Sequence, residues 1–269
     1  MKQKKWQNIK FILAYDGSCF GGWQRVQNGK KPSIQATLEQ MISGSFPGAG
    51  NLQVIGSGRT DAGVHAWGQV ANARVPKEEW QKQSAEEWRD YWNGKLPEGL
   101  RIREIEEVPL NFHSRYDAVG KTYCYTFDLR SPARVFRRKY AWATDESRIC
   151  DLDLNAMGKA ATYLLGEHDF VAFASKMEPG RGTVRCIERL EFIPEELDAN
   201  GNPTLLRMEV SGNGFLYHMV RILAGTLWEV GIGKRTPESV REALEGPGRR
   251  EETGVLLPPE GLMLLEVRY

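Results

Sequence analysis

Apolar and polar residues alternate at the start of the chain, with Ile9, Phe11, Leu13 and Tyr15 on one side, and this period of two predicts a half-buried strand ending at Asp16-Gly17. A glycine-rich turn follows through Gly17, Gly21 and Gly22. Ile34, Leu38, Met41 and Ile42 then share one helical face, with Ser33 as N-cap and Gly44 closing the segment. Val54-Ile55 and the run from Gln69 to Val75 read as strands flanking the loop GSGRTDAGVH. Ser84 and Glu87 have capping-box spacing and open a short helix that carries Trp88, Tyr91 and Trp92 to Asn93-Gly94. Leu100, Ile102 and Ile105 give another strand.

Strand patterns return at Thr122 to Phe127, Val184 to Phe192, Leu205 to Val210 and Leu262 to Val267. Between them Leu154, Met157, Ala161 and Leu164 repeat at helical spacing, as do Leu216, Val220, Leu223, Leu227 and Val230. A further helix begins at Thr236-Pro237, with proline at its first position. Several strands and one or two long helices in each half predict an α+β protein whose sheets carry helices on one face. The expected division falls near Pro109, giving halves 1–108 and 109–269, a count that suits a chain of 269 residues.

Composition narrows the class. No apolar run is long enough to cross a bilayer. The first apolar stretch alternates and stops at Asp16-Gly17, so it reads as a strand rather than a signal peptide, and the expected compartment is the cytoplasm. Cys19, Cys124, Cys150 and Cys186 are scattered without a CxxC pair, which disfavours zinc and disulfides, and four histidines leave little material for a metal site. The 36 basic and 35 acidic side chains nearly cancel, which at first argues against a polyanion partner. The distribution reverses that impression. Gly17 to Arg74 holds five bases and two acids, and His113 to Lys139 seven bases and two acids; the acids gather in Glu78 to Glu107 and Asp151 to Gly212.

The loop from Gly56 to His65 contains three glycines in eight positions, which permits tight backbone and close approach by a ligand. It matches neither a P-loop nor a dinucleotide fingerprint. Asp61 stands in an acid-poor, arginine-flanked stretch with Arg59, so it is a candidate catalytic acid, base or nucleophile. The plainer reading, a turn-capping aspartate paired with Arg59, is favoured by spacing alone. Tyr123 and Tyr125 share one strand face, where a ring can stack on a base or simply fill a core. Arg130, Arg134, Arg137, Arg138 and Lys139 form a cationic run without an acid among them, either a solvated loop or a set of phosphate contacts. Arg221 sits between Val220 and Ile222 in an apolar helix, where a guanidinium needs an anion unless it snorkels to the outer face. Asp61 is the natural anion. His218 is more simply structural.

Together these stretches resemble the tRNA pseudouridine synthase A family. The matching blocks are Tyr15-Asp16-Gly17 with Gly22-Trp23-Gln24, the loop Gly58 to Ala66, Phe112-His113-Ser114-Arg115, Lys121 to Tyr125, His168-Asp169-Phe170 and Met219-Val220-Arg221. The resemblance implies two similar α+β halves around a central basic cleft and a homodimer acting on tRNA without cofactor or metal. It implies isomerisation of uridine in the anticodon stem-loop, at about positions 38 to 40 of the usual tRNA count. It assigns Asp61 as the catalytic carboxylate, Arg221 as its partner, Arg59 as the loop arginine that helps open the base stack and Tyr123 as the contact to the target uracil. Arg115, Arg137, Arg138 and Lys139 are the further candidates for substrate binding. A departure lies at Leu257-Pro258-Pro259-Glu260-Gly261-Leu262, where the family usually has Ala-Pro before Gly-Leu, and it bears on a local loop contact rather than the active site. A catalytically silent RNA-binding module is the alternative, and a hydrolase built on Asp61 and His65 needs the loop to continue as a helix.

Overall fold

The computed structural model describes residues 5–24, 31–130, 134–143, 152–176, 180 and 182–269. Its elements are β1 (Trp6–Tyr15), α1 (Ile34–Ser45), β2 (Val54–Gly56), β3 (His65–Pro76), α2 (Lys77–Trp80), α3 (Ala85–Asn93), β4 (Leu100–Val108), β5 (Gly120–Asp128), β6 (Trp142–Ala143), α4 (Leu154–Thr162), β7 (Gly166–Asp169), β8 (Val184–Leu197), β9 (Pro203–Gly212), α5 (Met219–Gly231), α6 (Glu238–Glu245) and β10 (Leu262–Arg268). The fold is α+β. None of the described helices is long and apolar enough to cross a membrane. Two compact units divide the chain, one comprising Met1–Val119 with Leu264–Tyr269 and the other Gly120–Met263.

In the first unit the strands run β4-β1-β3-β10, with β2 against β3 and the β1 pairings antiparallel. Alternation on β1 buries Ile9, Phe11, Leu13 and Tyr15 on one face. Helix α3 covers that face, setting the Trp92 ring 5.9 Å from Phe11. The tryptophans of 80–92 are this core: Trp80 stacks on Trp88 at 5.9 Å, and Trp88 lies 5.1 Å from both Trp92 and Phe46. Each indole N–H is satisfied, by Glu107, the Trp80 carbonyl and the Ser45 hydroxyl respectively, so large rings are buried without an orphaned donor. On the opposite face, Asn8 donates to the carbonyls of Pro109 and Phe112 and accepts from Asn72. The 109–119 stretch is thereby tied to the first unit.

The second unit has the order β5-β9-β8-β7, antiparallel, with β6 parallel beside β5. Tyr123, Tyr125 and Phe127 lie opposite Val210, Met208 and Leu206 and make the apolar face, over which α5 packs with Trp228 stacked on Phe127 at 5.8 Å. The other face carries an ion-pair ladder: Arg207 bridges Glu195 and Glu209, and Arg189 meets Glu209. One apolar and one polar face is what alternation along an antiparallel sheet produces.

The elements follow the expected pattern with several differences, among them the short strands β6 and β7, which were not expected. Helix α5 begins at Met219 rather than Leu216, because His218 is left-handed (φ 64°) and breaks the helical path. Strand β3 starts at His65, several residues before Gln69. Helix α2 was not expected, and it places Trp80 in the core. The capping box is present, with Glu87 N–H donating to Ser84 Oγ and Ser84 N–H to Glu87. Thr236 Oγ1 likewise accepts the Ser239 N–H at the head of α6. Of the cysteines, Cys19 is exposed, Cys186 is half-buried and Cys124 is buried, its thiol pushed up to about 12 mainly by that burial; Cys150 lies outside the described residues.

Candidate active site

Asp61 heads a tight turn. Val64 N–H returns to the Asp61 carbonyl at 3.1 Å, and Gly63 at the third position has φ 86° while Ala62 does not enter the left-handed region, the signature of a type II turn. The loop therefore does not continue as a helix. His65 instead opens β3, buried, with Nδ1 accepting the Gly17 N–H at 3.1 Å, so it has a structural duty and the hydrolase pairing with Asp61 loses its basis.

Neutral hydrogen bonds fix the loop from below. Ser57 N–H reaches the Val70 carbonyl at 2.8 Å, and its hydroxyl donates to Gln69 at 2.6 Å. Gln69 in turn donates to the Gly58 carbonyl. Thr60 is buried, its Oγ1 2.8 Å from the Tyr15 hydroxyl and its carbonyl accepting from Trp23 N–H at 3.0 Å. Burial holds the Tyr15 phenol protonated, its pKa pushed up to about 12 despite the opposing hydrogen bonds to Thr60 and Gln69. Two glycines make room. A Cβ on Gly17 would run into the Val64 carbonyl, and Gly22 (φ 93°) lies with its Cβ position only 3.0 Å from the Thr60 oxygen. Asp61 is left half-buried and Arg59 exposed on this rigid platform.

Arg115 belongs to the same unit. Its neighbour Ser114 donates to the Ile55 carbonyl on β2 at 2.5 Å and takes Asn72 Oδ1 on its N–H, so the segment is pinned to the strand that leads into the Asp61 loop.

In the second unit, Arg221 is 9% exposed within α5, which removes the snorkelling alternative. Its Nε donates to the Leu257 carbonyl at 2.6 Å, and Tyr125 donates to the next carbonyl, Pro258, at 2.8 Å. Tyr125 is thus structural, its phenol pushed up chiefly by burial. Tyr123, also 9% exposed, has its ring edge-to-face with Phe215 at 5.2 Å, at the segment entering α5. Tyr123 and Phe215 therefore pack together on this unit, and Arg221 lies on the helix that Phe215 leads into.

The cationic run lies elsewhere. It leaves β5 beyond Asp128, five residues or about 17 Å along the strand from Tyr123. It also has an acid that local sequence did not reveal: Glu196 of β8 pairs with Arg134 at 2.6 Å, with Arg130 at 3.8 Å and with Arg137. These arginines hold the Glu196 carboxyl below its ordinary range, the Arg134 hydrogen bond foremost. Arg138 and Lys139 are exposed.

A family model described as tRNA pseudouridine synthase matches residues 12–117 and 160–269. The chain belongs to that family. It is 40% identical over 266 residues to tRNA pseudouridine synthase A of Geobacter sp. (strain M21), covering 98% of this chain and 99% of the relative. The same identity over 272 residues relates it to tRNA pseudouridine synthase A of Brevibacillus brevis (strain 47), covering 98% of this chain and all of the relative.

For a pseudouridine synthase, the supports of the Asp61 loop are the residues that sequence reasoning left without roles: Tyr15, Thr60, Gln69, Ser57 and the glycines at 17 and 22. Their signal was present in Tyr15-Asp16-Gly17 and Gly22-Trp23, blocks that lie far from the loop in sequence but seat it in space. The segment at Leu257-Pro258 also matters more than its sequence suggests. The Leu257 carbonyl meets Arg221 and the Pro258 carbonyl meets Tyr125, both through backbone atoms, so the side chains of this segment do not enter those two bonds.

Proposed function

We propose that this synthase isomerises uridine to pseudouridine in the tRNA anticodon stem-loop, near positions 38 to 40, with Asp61 as the single catalytic carboxylate. The observation that carries this reading is a half-buried aspartate on a type II turn braced by the buried, neutral side chains of Tyr15, Ser57, Thr60 and Gln69. Such a platform holds one carboxylate in one place, as a reaction using one carboxylate requires. The C1'–N1 bond breaks, uracil turns, and C1' rejoins at C5, which gives up its proton to solvent while the freed N1 takes one up. All uridine atoms are kept, so no redox cofactor or energy source enters. Asp61 attacks C1' or takes the 2'-proton; both routes need it ionised, which an Arg221 partner favours.

Flipping the base out of the stem costs a few kcal/mol. Arg59 helps to open the stack, the Tyr123 ring receives the uracil, and Arg115, Arg137, Arg138 and Lys139 contact phosphates. The proposal includes two similar halves that share a basic cleft, a homodimer, and a cytoplasmic location. The test is a mass-spectrometric map of pseudouridine in an unmodified tRNA pool treated with the purified protein. Conversion confined to anticodon stem-loop uridines is the expected outcome. RNA binding without any conversion would establish the silent binding module instead.

A further inference from the structure

We propose that Phe136, at the tip of the cationic loop, stacks on an unpaired nucleobase of the bound RNA while the flanking cations hold its phosphates. The inference rests on the tRNA reading above. Phe136 is 95% exposed, the most exposed of the large apolar side chains described. Exposing a whole aromatic ring forgoes hydrophobic stabilisation that folding ordinarily collects, and this ring does not stand singly, since Val135 beside it is 64% exposed and Tyr140 46%.

The backbone here is held firmly. Arg137 N–H returns to the Arg134 carbonyl at 3.0 Å, so Val135 and Phe136 occupy the corner of a turn and the ring is thrust outward. The turn's base is fixed by the buried Asp128 carboxylate, which accepts the Arg134 N–H at 3.0 Å, and by the Arg134 to Glu196 ion pair at 2.6 Å.

The charge around the ring selects the occupant. Arg134, Arg137, Arg138 and Lys139 surround Phe136 in sequence, and Glu196 offsets only part of that charge. A second copy of this chain would bring the same cations against them across a twofold axis, and protein interface cores are depleted in lysine. RNA supplies both complements at once, phosphates for the cations and an exposed base face for the ring. Only an unpaired base offers that face, since A-form duplexes bury theirs in the stack. The loop leaves β5 about 17 Å from Tyr123, so this base is distinct from the target uracil.

Full-length wild type, Phe136→Ala and Phe136→Trp would be titrated with an unmodified tRNA transcript and with a fully paired RNA duplex of equal length. Phe136→Ala is expected to weaken tRNA binding about tenfold, within the range that loss of one base–aromatic stack produces, and to leave duplex binding unchanged. Phe136→Trp should restore tRNA affinity and add to the fluorescence of the eight native tryptophans a component that tRNA quenches, so that quenching exceeds that of wild type. Equal tRNA affinity for wild type and Phe136→Ala would overturn the inference, as would an equal loss on both RNAs or a shift from dimer to monomer that accounts for the whole effect. Failure of the tRNA reading itself is visible separately, as a wild type that does not prefer tRNA over the duplex.

Discussion

The loop carrying Asp61 and the loop carrying Arg134 to Lys139 are both short and irregular, and both are proposed to meet RNA, yet they are held by opposite means. The first is anchored by backbone and neutral side-chain hydrogen bonds from buried Tyr15, Ser57, Thr60 and Gln69, with two glycines admitting close contact. The second stands on a buried Asp128 and an ion-pair cluster around Glu196 that takes up Arg134 and Arg137, with Arg138, Lys139 and Phe136 turned to solvent. A loop that must place one carboxylate tolerates little movement, and uncharged buried contacts provide that regardless of salt. A loop that must meet a polyanion keeps its charges accessible, and its interactions are screened.

This contrast is broken most severely at Gly17. Adding a methyl group there drives it into the Val64 carbonyl, so Gly17→Ala is expected to destabilise the protein by about 3 kcal/mol or more, measured by urea or thermal unfolding. The control is Gly44→Ala. It lies within α1 with nothing near its Cβ position and should stabilise by up to about 1 kcal/mol, so equal effects of the two changes would refute the packing argument. A smaller effect on fold but a distinct one on binding is expected at the cationic loop. Replacing Arg137, Arg138 and Lys139 together by Gln should leave the melting temperature nearly unchanged. The slope of log affinity for tRNA against log salt should become shallower by about one unit for each phosphate that is no longer neutralised, measured by filter binding across a salt series. An unchanged slope would show that these side chains face solvent in the complex.

Much of this architecture was legible locally. Alternation located β1, β4, β5, β9 and β10, and side-chain caps at Ser33, Ser84 and Thr236 marked helix starts because each cap is a contact across three residues. Asp61 stood out through the absence of neighbouring acids. What escaped were contacts between distant segments. Glu196 lies 59 positions from Arg137, so the cationic run looked unaccompanied. The Leu257 carbonyl lies 36 positions from Arg221, and it is a backbone atom, which no side-chain pattern announces. The start of α5 was missed because a histidine in the left-handed region carries no sequence mark of the kind a glycine would. The tryptophan-rich stretch became intelligible only when α1, α3 and β1 brought its rings against Phe11 and Phe46.

The central claim is that one carboxylate on the rigid loop performs the chemistry while the rest of the surface binds. Its most direct measurement is the rate of pseudouridine formation in a tRNA transcript by purified wild type and Asp61→Asn, with tRNA affinity and melting temperature recorded on the same samples. Asp61→Asn should lower the rate by about a thousandfold or more, with affinity and stability nearly unchanged. A variant that keeps its turnover within about tenfold of wild type, the scale of a 1.4 kcal/mol change in barrier, would contradict that claim.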